Sequence, residues 1–268
     1  MEDRLPIALS IGGWDPCGGA GLAADIKTFE MSGVLGMGVC TAVTCQVHDA
    51  FEGMEWTDDD LIFSQLKLLI SRYELRAVKF GIVPSMAVLS QCIALLKASF
   101  PGIKMIWDPI LKASAGYAFH ANTATDDLSS VLSAVTLITP NTMEAGQLWG
   151  TADARELQKM LQPGGALLLK GGHAVGHAND VLIEEEGIRV IAGEKFANNP
   201  GKHGSGCVLS AAICAQLAKG EGLYEACVSG KRYAERYIRS TGHLLGRHFQ
   251  GDQVPGYQEK GPGKKSKT

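Results

Sequence analysis

The residues with the greatest chemical potential sit in a few short stretches. His203-Gly204-Ser205-Gly206-Cys207 runs straight into Val208-Leu-Ser-Ala-Ala-Ile-Cys-Ala-Gln-Leu217, a glycine-rich turn feeding an apolar helix with a thiol in its first turn. The first N–H groups of a helix lack internal partners and carry the positive end of its dipole. Glycines at 204 and 206 let those N–H groups approach a ligand closely, which makes an anion site. A thiol placed there is expected to have its pKa lowered. The same stretch also reads as an ordinary helix start with a core cysteine, and local sequence does not separate the two.

Other stretches carry similar double readings. Gly18-Gly19-Ala20-Gly21, after Asp15, brings backbone against a ligand or forms a tight turn. Asp108-Pro109 offers a metal- or phosphate-site carboxylate or a turn aspartate. Asn141-x-x-Glu144 suits the waters of Mg²⁺, which prefers hard oxygen donors, and equally suits a helix cap with an acidic first turn. Lys170-Gly171-Gly172 supplies a cation for phosphate as a point charge. His173 and His177 lack the further ligands a zinc site needs, and His203 with Cys207 across a glycine turn is thin support for a thiol hydrolase. There is no G-x-S-x-G elbow. The Walker pattern fails at Ile26, where Gly21 to Thr28 would need a second glycine, and no G-x-G-x-x-G follows the first apolar run.

The elements that must position these residues alternate in type. Apolar runs at 7–11, 36–46, 77–83, 104–108, 136–141 and 166–170 read as buried strands. Helices are expected over 22–32, from 57 to about 72, 85–99, 142–149, 153–161, 205–218 and 223–240, and the acidic break near Gly187 predicts an antiparallel hairpin of 180–185 with 187–197. Strands alternating with helices imply a mostly parallel sheet covered on both faces. We therefore expect one α/β domain over 1–245 and a polar, disordered C-terminal tail over 246–268. Ligands of such sheets bind outside the carboxyl ends of the strands, where Asp15, Gln46, Lys79, Asp108, Asn141, Glu144 and Lys170 all fall. A cation, carboxylates, an asparagine and a helix-start anion hole at one sheet edge are the equipment of phosphoryl transfer.

Composition narrows the classes. The chain has 268 residues, a net charge of −3 and 46% hydrophobic residues, which gives no field favouring nucleic acid or an anionic membrane. No apolar run reaches the roughly 18 residues of a membrane span. Seven scattered cysteines fit reduced thiols, and we expect a cytoplasmic protein.

In order along the chain, the motifs resemble the ribokinase-like small-molecule kinases, and within them the hydroxymethylpyrimidine/phosphomethylpyrimidine kinases of thiamine biosynthesis. The resemblance spans roughly residues 5–240. It rests on Gly13-Trp-Asp15-Pro16-Cys-Gly18-Gly19-Ala20-Gly21 with Ala24-Asp25-Ile-Lys-Thr28, Thr41-Ala-Val-Thr-Cys-Gln46 and Val78-Lys79-Phe-Gly81. It continues through Asp108-Pro109, Ser114-Ala-Gly116, Thr139-Pro-Asn141-x-x-Glu144-Ala145, Lys170-Gly-Gly-His173 and His203-Gly-Ser-Gly-Cys207. The resemblance implies a three-layer αβα sandwich and an ATP- and Mg²⁺-dependent kinase acting on 4-amino-5-hydroxymethyl-2-methylpyrimidine, then on its monophosphate. Most ribokinase-like enzymes close the anion hole with an aspartate; in this subgroup a cysteine stands there, here Cys207.

By matching position, Gly204, Ser205, Gly206, Cys207 and Lys170 would carry catalysis, and Gly12, Asp15, Gly19, Ala20 and Gln46 the pyrimidine. Lys170 and His203 would meet ATP, while Asp108, Asn141 and Glu144 would arrange Mg²⁺, with Asp108 and Glu144 acting through water. The family also implies a homodimer. Trp14 and Cys17 where serine is common, Cys45 and Val47-His48 around Gln46, Ile82 for a common methionine, and Ser205 for threonine depart from the usual pattern. They bear on the substrate, so a pyridoxal-type kinase is the second reading and a non-catalytic pyrimidine sensor a third.

Overall fold

The computed structural model describes residues 5–111, 131–171, 178–194, 196 and 202–250. Among them are nine strands: β1 (Ile7–Trp14), β2 (Leu35–Val47), β3 (Ala50–Trp56), β4 (Leu75–Phe80), β5 (Lys104–Trp107), β6 (Leu137–Ile138), β7 (Leu167–Leu169), β8 (Asp180–Glu184) and β9 (Gly187–Ile191). Seven helices join them among the described residues: α1 (Gly21–Met31), α2 (Asp59–Ile70), α3 (Met86–Ser99), α4 (Thr142–Trp149), α5 (Ala154–Met160), α6 (Ser205–Ala218) and α7 (Leu223–Arg239). The expected tail from 251 onward, Ser114–Gly116, Gly172, His173, His177 and 199–201 lie outside the described residues.

All nine strands form one sheet in the order β3-β2-β1-β4-β5-β6-β7-β8-β9. The six from β2 to β7 run parallel, and each edge is antiparallel: β3 on β2, and the β8–β9 hairpin on β7. The hairpin at β8–β9 matches the expectation. The one at β2–β3 adds β3 to the strands expected from the sequence. Glu52, Gly53 and Glu55 interrupt its apolar pattern, as befits an edge strand kept charged against further pairing.

Successive side chains of a strand point to opposite faces. Leu9, Val78, Met105 and Leu167 turn toward α2–α5, whereas Ala8, Ala77, Ile106 and Leu168 turn toward α6 and α7. Helix α6 is buried almost all round, which marks it as the central helix of its layer. Local chemistry explains where helices start. Asp58, Ser85, Asn141 and Asp153 cap α2, α3, α4 and α5 with their own side chains. Helices α1, α6 and α7 begin without a side-chain cap. Two of those uncapped starts, α1 and α6, meet at the site described next.

After α7 the chain folds back over residues 241–250. Lys202 donates from Nζ to the Thr241 carbonyl at 2.7 Å and to the His243 carbonyl, and the His203 N–H donates to Leu244 at 2.9 Å. His248 Nδ1 lies 3.0 Å from the Tyr233 hydroxyl and 3.4 Å from that of Thr28. The expected start of the tail at 246 therefore falls inside an ordered strap, which continues at least to residue 250. Its composition is polar, but its contacts are with buried groups of α1 and α7, and composition does not reveal those.

Candidate active site

The strand ends from β5 to β7 bring one group of residues together. The Asp108 carboxylate is fully buried; its Oδ1 accepts from Lys170 Nζ at 2.8 Å and from the Thr139 hydroxyl at 3.2 Å, and its Oδ2 accepts from the Ser210 hydroxyl at 3.0 Å. Lys170 Nζ also lies 3.6 Å from Glu144 Oε2. Asn141 and Glu144 form a capping box: the Glu144 N–H donates to Asn141 Oδ1 at 2.8 Å, and the Asn141 N–H donates to Glu144 Oε2 at 2.6 Å. The cap reading of this motif is thus realised, and the same carboxylate also faces the Lys170 ammonium. Glu144 Oε2 is engaged in the cap, and Oε1 points to no described donor.

Charge balance favours the ionised forms of Lys170 and Asp108. Burial works against the Lys170 ammonium, but Asp108 and Glu144 outweigh it and hold Lys170 above its usual range. Burial would likewise raise Asp108, yet Lys170 and Lys79 keep its carboxyl below the ordinary value. At Glu144 burial wins, and its carboxyl is pushed up. A side chain added at Gly206 would stand 3.5 Å from Lys170 Nζ, so the ammonium faces the first turn of α6.

A second group surrounds the turn between β1 and α1. Asp15 Oδ1 accepts from the Cys17 N–H at 3.0 Å, while Oδ2 accepts from the N–H groups of Gly19 and Ala20 at 3.2 and 2.8 Å and from the Cys17 thiol at 3.3 Å. His203 Nε2 meets the same Oδ2 at 2.8 Å. These bonds, the one from His203 foremost, outweigh burial and keep the Asp15 carboxyl below its ordinary value. Burial pushes the Cys17 thiol up to about 11. Tyr237 ties the two turns together, donating to the His203 carbonyl at 3.1 Å and to the Gly19 carbonyl at 3.4 Å. Gly204 has a φ of +72° and abuts the Gly19 carbonyl, where a side chain would collide, so only glycine fits.

Two expectations change here. His203 was assigned to the ATP side, but its ring is locked on Asp15 beneath the β1–α1 turn, because the α6 approach turn packs against that loop. The Asp15 carboxylate orders the Gly19 and Ala20 N–H groups and holds His203, so it shapes the loop. Gly19 and Ala20 remain at the turn, and Gly12 lies in the sheet against Gly81. Gln46 is half-buried near the end of β2, opposite Phe51 beside a register shift, and its amide has no hydrogen-bond partner among the described residues.

Cys207 stands between the two groups, in the first turn of α6. The backbone of Gly21, the first residue of α1, also favours its thiolate, so both the α1 and α6 starts act on the sulfur. Even so, burial pushes it up to about 11 against the pull of Lys79. This reverses the expected lowering. A helix N-terminus favours a thiolate, but removal from water disfavours it more strongly here, where Cys207 is 7% exposed.

A scan against family models matches residues 15–251 to phosphomethylpyrimidine kinase. The chain belongs to the phosphomethylpyrimidine kinase family. A relative from Rhizobium meliloti (strain 1021), a hydroxymethylpyrimidine/phosphomethylpyrimidine kinase, is 34% identical over 249 residues, covering 89% of this chain and 92% of the relative. Among solved structures, the phosphomethylpyrimidine kinase of Clostridium difficile 630 is 29% identical with a TM-score of 0.72 over 88% of this chain and 100% of that one. An ADP complex of Bacillus subtilis pyridoxal kinase is 27% identical with a TM-score of 0.79 over 92% and 98%. The α/β architecture shared with these kinases is ribokinase-like.

Within this family fold, sequence reasoning left several contributors without a role. Thr139 and Ser210 complete the Asp108 bonds, Lys202 and Tyr237 hold the anion-hole turn, and Asp25 pairs with Lys79 inside the sheet. Only the last pair carried a usable signal: a lysine within the apolar run Ala77-Val-Lys-Phe80 needs a buried partner.

Proposed function

We propose that this chain is an ATP-dependent kinase that phosphorylates the hydroxymethyl group of 4-amino-5-hydroxymethyl-2-methylpyrimidine and then the resulting monophosphate, in thiamine biosynthesis. The observation that carries the reading is Lys170, held charged by Asp108 and Glu144, facing the uncapped first turn of α6 at Gly206. Phosphoryl transfer needs positioning and charge neutralisation more than covalent work by the protein. Lys170 and the N–H groups of Ser205, Gly206 and Cys207 supply both for the migrating phosphoryl. The pyrimidine lies over Gly19 and Ala20, with the Gln46 amide, donor and acceptor at once, on its ring nitrogen and exocyclic amine.

In the first step the substrate O–H bond breaks and its proton passes to the sulfur of the Cys207 thiolate, the minor form at neutral pH. The oxygen forms a bond to the γ-phosphorus, and the bond to the bridging oxygen of ADP breaks. The second step differs, because a phosphate monoester acceptor is already ionised and has no proton to lose. The remaining lone pairs of Asp108 and the Oε1 of Glu144 are hard oxygen donors that fit the waters of Mg²⁺. Bound there, Mg²⁺ would neutralise charge on the ATP phosphates.

The proposed assembly is a cytoplasmic homodimer with one kinase domain per chain. Free thiols at all seven cysteines agree with a reducing compartment. An apolar strip of Trp14 and Val43, register partners 43% and 52% exposed, with Val47 beyond them, supports a self-contact. A monomer by sedimentation velocity at micromolar protein would overturn the dimer.

The likeness to pyridoxal kinase favours one second reading, transfer to the hydroxymethyl group of pyridoxal. Mass spectrometry of products from Mg-ATP with either compound separates them. Mono- and then diphosphate from the pyrimidine is expected, and phosphate on pyridoxal alone would replace the substrate while keeping the phosphate site.

A further inference from the structure

The β1–α1 turn gathers three side chains whose donor atoms differ in kind. Asp15, Cys17 and His203 each offer one atom, and the three atoms lie within 4.8 Å of one another. Among the described residues this is the only such group of histidine, cysteine and acidic side chains. Asp15 Oδ2 is its hub. It stands 2.8 Å from His203 Nε2 and 3.3 Å from the Cys17 sulfur, and it also accepts from the N–H groups of Gly19 and Ala20. Four donors thus converge on one carboxylate oxygen, which has about two lone pairs to offer. The turn fixes the two backbone donors, so the thiol and the imidazole compete for what remains. One cation bonded to sulfur, ring nitrogen and oxygen together would replace that competition.

The donor set selects the kind of cation. Thiolate, imidazole nitrogen and carboxylate oxygen suit Zn²⁺, which is borderline soft, whereas Mg²⁺ prefers hard oxygens. In a tetrahedral site with bonds of about 2.0–2.3 Å, neighbouring ligand atoms stand ~3.3–3.6 Å apart. The oxygen–sulfur separation already has that length, and the oxygen–nitrogen separation needs to open by only ~0.5 Å. Asp15 and His203 are 1% and 6% exposed, but Cys17 is partly open to solvent. A cation therefore enters from the Cys17 side, and water completes the tetrahedron there. The His203 backbone is pinned, its N–H to the Leu244 carbonyl and its carbonyl to the Tyr237 hydroxyl. Its Nδ1 has no partner among the described residues, so the ring is held through Nε2 alone.

We propose that Asp15, Cys17 and His203 form a binding site for one thiophilic divalent cation, of which Zn²⁺ is the type. The site is separate from the Mg²⁺ reading at Asp108 and Glu144, and it does not depend on the proposed reaction. As the cation binds, the thiol proton leaves to solvent and the Nε2 proton moves to Nδ1, so that thiolate and neutral imidazole coordinate. The same Asp15 oxygen orders the Gly19 and Ala20 N–H groups, so a bound cation bears directly on the shape of that turn.

The test uses the reduced, metal-free full chain without nucleotide. Zn²⁺ is titrated in competition with a chromophoric chelator, and Cd²⁺ is added separately to read the thiolate-to-metal absorption band. One equivalent of Zn²⁺ bound at micromolar Kd or tighter is expected, together with a Cd²⁺ band. Losing even an outer-shell partner of a metal costs ~10–100-fold in affinity, so Cys17→Ser, which removes a ligand, should weaken Zn²⁺ at least ~10²-fold and abolish the band. His203→Gln keeps a donor for Asp15 but loses the ring nitrogen, and should weaken binding at least ~10-fold. Cys45→Ser removes an exposed thiol elsewhere and should change neither readout. Unfolding cannot mimic this pattern, because it frees buried thiols and histidines to bind metal and so adds binding. A wild-type chain without the Cd²⁺ band, tight binding that survives Cys17→Ser, or a band lost in Cys45→Ser overturns the proposal. If Cys17→Ser does not fold, the wild-type band and the His203→Gln titration decide. The readout needs no kinase substrate, so failure of the proposed function and failure of this inference are told apart.

Discussion

Asp15 and Asp108 are both buried aspartates at the carboxyl ends of parallel strands, yet they serve different ends. Asp108 is met by side chains from three other segments: Lys170, Thr139 and Ser210. Asp15 is met mainly by the backbone of its own turn, and by His203. The first arrangement concentrates charge at the mouth of α6, while the second spends charge on the shape of a loop. A carboxylate's role follows from what donates to it, and a strand end alone does not specify that.

If this contrast holds, variants on the phosphate side should damage transfer, and variants on the ring side should damage acceptor binding and stability. The largest effect is expected at Lys170. Lys170→Met removes the cation facing Gly206 and should lower kcat/KM by ~10²–10³-fold for both phosphorylations, the scale of losing one preorganised electrostatic contact. Steady-state assays with each acceptor check this, and a loss below tenfold would mean that Lys170 only balances Asp108.

Next comes Cys207. Cys207→Ala should slow the first phosphorylation by ~10²-fold, as for a positioned proton acceptor, and the second by under ~10-fold because its acceptor carries no proton. The active form of this thiol is the minor one below about pH 11. The first-step rate should therefore climb as pH rises from neutrality, and the variant should lose that slope. Equal loss in both steps would make the sulfur a contact for the phosphoryl group.

Asp15→Ala should raise KM for the pyrimidine ~10-fold, with KM for ATP little changed, by releasing the Gly19 and Ala20 N–H groups. It should also cost about 1–3 kcal/mol of stability by leaving His203 and those donors unsatisfied. Denaturant melts with both KM values test the pair of effects, and a loss confined to ATP would reverse the assignment.

The smallest effect belongs to the strap. Burial lowers His248 to about 4 from an ordinary 6.5. Between those values the unfolded chain binds a proton that the folded protein excludes, so stability is complete above about pH 6.5 and falls as pH drops toward 4. Because the ring is only partly shielded, about 1–2 kcal/mol is expected over that window. His248→Phe should flatten this part of the melting profile, and an unchanged slope would place the proton uptake elsewhere.

Much of this molecule is legible along the chain because its signals are local. Apolar runs of strand length alternate with capped helices, and Asn141-x-x-Glu144 and Gly204-Ser-Gly206 carry their turn chemistry in three or four residues. Those signals place Asp15, Asp108, Glu144, Lys170 and Cys207 at one sheet edge. They do not say which partner each one meets. Lys170 finds Asp108 across 62 positions, Lys79 finds Asp25 across 54, and His203 finds Asp15 across 188. A histidine next to the anion-hole turn could be assigned to either side until packing put it under the β1–α1 loop. Residues 246–250 look like the start of a polar tail until Thr28 and Tyr233 are seen against His248. The Cys207 thiol is the sharpest case: helix position is written in the sequence and favours the thiolate, whereas depth of burial is not and disfavours it. Element type and order follow from interactions between near neighbours; pairing and desolvation depend on how distant segments exclude water, and they arise only when the chain is folded.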